Sequence, residues 1–410
     1  MVLTSRALRS GLVPAAVFLL AAVASAGAAG CSSDDDADAN APPDNVSCAS
    51  VARAKDGQGL IDAIQNSPGG GCVVISGTVA SNLPIVVKEG VTVVGAKGRR
   101  ASLVVTENIG PSAVFLSRRA QLGNLDVLAS PGNGVAVTGT GAKIFDVKVA
   151  SSKKAAVVVL GNGDEVALTL EKVVAEKNAY GVYAVGSGVK VTMKDGRIAE
   201  NGGTSLSAGA GVIAAGGAHV ELDGVAVESN EGTGVLLDGA STRALIRGAT
   251  VSDNRQRGVW AQGLQGTLEA PALEIRDTEI SKNRIVGVGG VELKGIIIVG
   301  GSVKETVASP VPTNLSKNEL IGDGVGIFDG STDFKIERTN FVSNERAAGV
   351  IDGTEVGIII VGGKVEPGPG LKFVVQNNKA DVQISDLDKS VLDAPLGVSA
   401  PKIQVPTVSF

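Results

Sequence analysis

Three aspartates, Asp238, Asp329 and Asp352, each stand directly before a glycine and just after a short apolar run. Two such carboxylates on neighbouring strands could act as the acid and base of glycoside hydrolysis, which needs a separation of about 5–10 Å. Asp-Gly is equally the chemistry of a tight turn, so the placement alone leaves both readings open. The sole histidine, His219, follows Gly216-Gly217-Ala218, a turn context rather than that of a general base. A Ser or Cys nucleophile would need that histidine beside an orienting acid. No group of His, Cys, Asp and Glu has the spacing of a metal site, and no metal or cofactor is expected.

Aromatic residues offer a second kind of chemistry. They make up only 3% of the chain, yet the single tryptophan, Trp260, and Tyr183 each follow a Gly-Val pair. If the valine of each pair faces a core, the next residue faces away from it. That places Tyr183, Ile213, Leu236, Trp260 and Ile351 in one outward row, with glycine at 289 and 326. Exposed, such a row would stack sugar rings on its aromatic faces. A loop from 201–210 or 300–317 laid across it would make it a second core instead. With Asp238 at its margin, the candidate ligand-binding set is Tyr183, Ile213, Leu236, Trp260 and Asp238.

The elements that carry these residues follow from a repeated phrase, an asparagine followed after a short interval by Gly-Val. Tight copies are Asn230…Gly234-Val235, Asn254…Gly258-Val259 and Asn283…Gly287-Val288. Looser ones begin at Asn178, Asn201, Asn318 and Asn344, and successive asparagines lie 23, 29, 24, 29, 35 and 26 residues apart. A period in the twenties with variable insertions is the mark of a solenoid. Within residues 234–258, three apolar runs of three to five residues are separated by turns at Asp238-Gly239 and Gly248-Ala249. Alternation inside each run turns one face inward, and only stacking on neighbouring coils buries it. Asparagines at equivalent positions are expected to form a ladder, bonding to the backbone and to one another. The phrase Gly295-Ile-Ile-Ile-Val-Gly-Gly301 recurs as 357–363 but lacks the lysine and serine of a phosphate-binding loop, so it reads as two like buried strands.

At these residues the chain resembles the right-handed parallel β-helix of the pectin-lyase-like superfamily. The resemblance covers 55 to about 390 and implies an all-β solenoid of roughly ten coils. A short N-terminal capping helix is expected around Leu60-Ile61-Asp-Ala63-Ile64, and an extended tail around Pro395, Pro401 and Pro406. Enzymes of that superfamily work on the outer face of one sheet. Pectate lyases carry a calcium-binding aspartate group with a catalytic arginine or lysine, and polygalacturonases carry paired aspartates with Gly-His-Gly. Neither pattern stands in this chain.

Residues 1–30 read as an export signal, with Arg6 and Arg9 before the apolar stretch Gly11 to Ala24, too short to span a bilayer. Ala28-Ala29-Gly30-Cys31 resembles the lipobox of bacterial lipoproteins, which implies lipidation of Cys31. Ser32 after it leans toward the outer membrane, and cleavage after Ala24-Ser25-Ala26 would instead give a soluble secreted protein. If Cys31 carries lipid, Cys48 and Cys72 are left as a disulfide pair. Residues 31–47, rich in Ser, Asp and Pro, read as an acidic tether, and 48–410 as one β-helix domain. The net charge of −5 sits largely in the aspartates at 34, 35, 36, 38 and 44, so the domain is near neutral and has no basic stripe for nucleic acid. The resulting expectation is a non-catalytic cell-envelope lipoprotein presenting a surface to polysaccharide or protein. The alternative is a polysaccharide lyase or glycoside hydrolase using the same face.

Overall fold

The computed structural model describes residues 41–390 apart from 107–109, 203–208, 311–319, 356, 367–368, 380–381, 386 and 388. The signal segment, Cys31, most of the acidic stretch, Asn318 and the proline-bearing tail lie outside the described residues.

Most coils are built from three strands, while Gln121–Leu128 and Ala142–Ala150 each run through two of the three places. Val235–Asp238, Arg243–Arg247 and Thr250–Ser252 form one three-stranded coil, as the alternation and turn dipeptides predict. These strands pair in parallel with their counterparts a coil away: Leu236 meets Trp260, Ala244 meets Leu273 and Val251 meets Ile280. Among the described residues the one antiparallel pairing joins Ser309–Pro310 to Leu320–Phe328. The fold is an all-β parallel β-helix.

Two of the three strand sets merge into one 24-stranded sheet, and the Gly-Val strands stack thirteen deep, from Ile85–Val87 to Lys389–Ser390. That is more than the roughly ten coils expected. The early coils turn into the Gly-Val sheet through Ser81, Ser130 and Ser152 rather than asparagine, and so escape the repeated phrase. Val182, Val212, Val235, Val259, Val288 and Val325 line the inner core as the pattern requires. The repeated glycine phrase forms a strand and its turn twice, Lys294–Val299 and Ile358–Val361, with Ile296, Ile298, Ile358 and Ile360 in the core.

The asparagine ladder forms at the bend before the Gly-Val sheet. Nδ2 of Asn178, Asn201, Asn230 and Asn254 donates to Oδ1 of the next asparagine at 3.1, 2.9, 2.9 and 2.8 Å. The residue before each ladder position takes a left-handed conformation, as at Lys177, Glu200, Ser229 and Asp253, which turns the strand through the bend. In the coil after Asn283 a ladder place belongs to Thr306, whose N–H donates to Asn344 Oδ1.

The helix Gly57–Asn66 closes the first coil. Asp56 caps it by accepting from Gly59 N at 2.7 Å, and Leu60 and Ile64 press into the core. Gly57 is required there, because a Cβ would lie 2.5 Å from Ala80 O. A disulfide joins Cys48 to Cys72, tying the segment before the helix to the strand Cys72–Ile75. Residues at the end of the expected tether are already folded onto the first sheet: Lys97 N donates to Ala41 O, Lys97 pairs with Asp44, and Val46 packs against Val74, Val94 and Phe145. No helix among the described residues is long and apolar enough to cross a membrane.

Candidate site on the Gly-Val sheet

Register puts Tyr183, Ile213, Leu236, Trp260, Gly289 and Gly326 in one row on the outer face of the Gly-Val sheet. Of the two environments open to this row, solvent or a second core, the structure has the second: Trp260 is at 0% and Tyr183 at 4% exposure. It forms a second apolar cluster with Ala136, Val158, Val291 and Phe328, separate from the core inside the coils. Alternation tells which side of a strand a residue takes, but not whether that side meets water. An aliphatic row running along this many coils, left in water, would be an unusually large apolar patch. The expectation for Ile351 fails. Val350 pairs with Gly326 and faces outward, while Ile351 lies in the inner core. The slip arises because Gly349 occupies the inner place, and the Phe373 ring fills the space where its Cβ would stand.

Trp260 is the centre of this cluster. The Phe328 ring lies 6.3 Å from it, leaning over Gly326, where an added Cβ would meet ring carbons at 2.5 Å. Trp260 Nε1 donates to Gln262 Oε1 at 3.3 Å, and Gln262 Nε2 donates to Asp238 Oδ1 at 2.8 Å. Asp238 is therefore tied into a side-chain chain that anchors the indole.

Asp238 stands apart from the other two aspartates, whereas Asp329 and Asp352 lie on neighbouring coils, the Asp329 N–H donating to Asp352 O at 3.1 Å. Asp238 and Asp352 share an outward row but stand four register steps apart, through Gln262, Val291 and Phe328, which is about 19 Å at β spacing. Asp352 accepts from Gln376 Nε2 at 3.0 Å and Asn377 Nδ2 at 2.8 Å. Asp329 is an exposed turn residue at φ 27°. His219 lies on the other sheet, 3.2 Å from Glu221, which also pairs with Lys190. Partial burial opposes ionisation of Glu221, but Lys190 and His219 outweigh it and hold the carboxyl below its ordinary range. Among the described residues no group of three or more His, Cys, Asp and Glu could hold a metal ion.

Arg257 is the residue sequence reasoning overlooks. It stands directly before the Gly-Val pair of its coil and is only 2% exposed. Its guanidinium lies 4.3 Å from the centre of the Trp260 ring. Burial lowers its pKa to about 10, so it stays a cation at neutral pH. The signal was present in the phrase itself. The residues before successive glycines are Tyr180, Ala210, Thr233, Arg257, Val286 and Asp323, a row with one cation and one anion among neutral neighbours. Asp323 is fully buried and takes Arg346, whose Nε donates to it at 2.8 Å.

A polar trench of about 540 Å³ runs beside the ladder bend, lined by Lys177, Glu200, Ser229, Glu231, Asp253 and Arg255. The left-handed residue of each bend sends one of these side chains outward per coil. Lys177 pairs with Glu200 at 3.7 Å, and Arg255 with Glu231 at 2.8 Å.

The family described as right handed beta helix region matches residues 133–309. Among solved structures, the A-module of a mannuronan C-5 epimerase from Azotobacter vinelandii is similar at 14% identity and a TM-score of 0.51. The match covers 79% of this chain and 95% of that one. The Dettilon tailspike protein is similar at 12% identity and a TM-score of 0.53, over 82% of this chain and 67% of that one. No curated protein matches the chain in sequence. At these identities the shared property is the fold, a right-handed parallel β-helix.

Proposed function

We propose that this right-handed β-helix is a lipid-anchored cell-envelope protein that holds polysaccharide along the trench beside its asparagine ladder, without turning it over. The trench carries the proposal. It offers donors and acceptors from Lys177, Glu200, Ser229, Glu231, Asp253 and Arg255 on four successive coils, spaced about 4.8 Å apart along the stack. A ligand that repeats its hydroxyls suits a face that repeats its polar groups. The apolar Tyr183–Trp260 row, being buried, has no part in this contact as it stands. The fold is shared with a module whose name gives mannuronan as its substrate, which makes acidic polysaccharides the first to try. The 19 Å gap between Asp238 and Asp352 supports binding over hydrolysis by that pair.

A glycan array probed with the purified chain, with each bound glycan then assayed for cleavage or epimerisation, tests this reading. Binding that falls at least tenfold in Glu231→Ala/Arg255→Ala, with no turnover, is the expected result. Turnover of a bound glycan moves the chain to the carbohydrate-active enzymes. A blank array removes the polysaccharide reading and leaves protein contact. In the envelope, Cys31→Ala is expected to move the protein from the membrane fraction to the soluble one; an unchanged distribution removes the anchor.

A further inference from the structure

Among the described residues, the side-chain polar atoms enclosed without a partner are Ser152 Oγ and two nitrogens of Arg257, Nε and Nη2. Ser152 begins the asparagine ladder, and its backbone N–H is served by Asn178 Oδ1 at 2.9 Å. Arg257 is the charged group of the two, and leaving it unpaired is the more costly. Its two orphan nitrogens share one edge of the guanidinium, the fork that receives both oxygens of a planar anion. One face of the same group rests on Trp260 at 4.3 Å.

Among the described residues no anion reaches that fork. Backbone bonds set Arg257 between Thr233 and Val286, both neutral and buried. Asp323, the next residue along the row beyond Val286, is held by Arg346. Asp238 is reached through Gln262. A buried cation without a counter-ion is costly, far more so than an apolar residue of the same volume in its place. Such an arrangement suits a group that completes its bonds with a ligand.

We propose that Arg257 and Trp260 form a binding site for a carboxylate, both of whose oxygens accept from Nε and Nη2 of Arg257. Trp260 backs the guanidinium, and Leu236 and Phe328 keep the surroundings apolar, so that each charged hydrogen bond is little screened. The carboxylate comes either from a free organic acid or from a uronic-acid residue of a polysaccharide. The second source rests on the polysaccharide reading above; the first stands without it. Both orphan nitrogens are sealed from water, so the ligand gains access through local opening of the cluster.

Trp260 is the only tryptophan of the chain and reports on its own site. The full chain is titrated with acetate, glucuronate, a uronic-acid oligosaccharide and a neutral oligosaccharide, following Trp260 emission and binding heat. A saturable emission change with at least one carboxylate, and none with the neutral sugar, is expected. Affinity should fall at least tenfold in Arg257→Met, and Arg257→Lys should also bind weakly, because it keeps the charge but loses the fork. Arg257→Met should melt no lower than the parent, since it removes a buried unpaired charge. Binding by acetate or glucuronate identifies a free-acid site, and binding by the oligosaccharide alone identifies a uronate subsite. Equal affinity in Arg257→Met, or no response to any of the three carboxylates, overturns the site. If a neutral glycan still binds on the array in that case, the trench reading survives and only this inference falls.

Discussion

Trp260 and its neighbours show how alternation along a strand gives a side chain its direction and leaves its environment open. Its strand sends it away from the coil axis, and there it meets Arg257, Phe328 and Gln262 rather than water. Burying an indole of this size contributes several kcal/mol, and the Nε1–H finds a partner, as a buried tryptophan requires. The native protein is therefore expected to show blue-shifted emission that resists quenching by acrylamide, both features disappearing on unfolding in guanidinium. Trp260→Ala should cost about 3–5 kcal/mol in denaturant unfolding. Native quenching as strong as that of free tryptophan, or a loss below about 1 kcal/mol, would show the row open to solvent after all.

The ladder is where an element's stability is concentrated in single amides. Asn254 Oδ1 accepts from both Asn230 N and Asn230 Nδ2, while its own Nδ2 donates to Val227 O and Asn283 Oδ1. None of these groups can turn to water, since Asn230, Asn254 and Asn283 are all at 0% exposure. Asn254→Ala strands several of them at once, at about 1–3 kcal/mol each, so a loss above about 3 kcal/mol is expected. Arg255→Ala, one residue on, breaks only an exposed ion pair with Glu231 and should cost under about 1 kcal/mol. Comparable losses for the two variants in urea melts would refute the ladder's role. The ladder, the inward valines and the capping helix were legible in the chain because each depends on local pattern: a period, an alternation, an amphipathic turn. Thr306 in a ladder place and Val350 in the outward row were not. Both depend on which residue a neighbouring coil sets opposite, and insertions hide that register. The unpaired state of Arg257 was hidden for a related reason, because it rests on which residues the neighbouring coils set beside it.

At the scale of the whole stack, each coil touches only the coils above and below it, so stability is a sum of neighbouring terms rather than one indivisible quantity. The first coils are closed by the helix Gly57–Asn66 and stapled by Cys48–Cys72. The middle coils are joined by the unbroken asparagine series from Asn178 to Asn283. Toward the other end fewer side chains are buried, and Lys364–Glu366 and Gln383–Ser385 have no fully buried residue, which leaves less packing to hold them. Amide hydrogen exchange should therefore be slowest between residues 178 and 291 and should quicken toward 371–390. A disulfide closing a loop of this size contributes about 3 kcal/mol, most of it felt by the coils that it ties. Reducing Cys48–Cys72 is then expected to speed exchange in residues 51–105 by about a hundredfold, with little change across the ladder coils. Because the linkage passes coil to coil, the effect should fade with each strand past the Ala101–Val105 coil. An equal acceleration along the whole chain would show that the coils open together, and the nearest-neighbour account of this β-helix would fail.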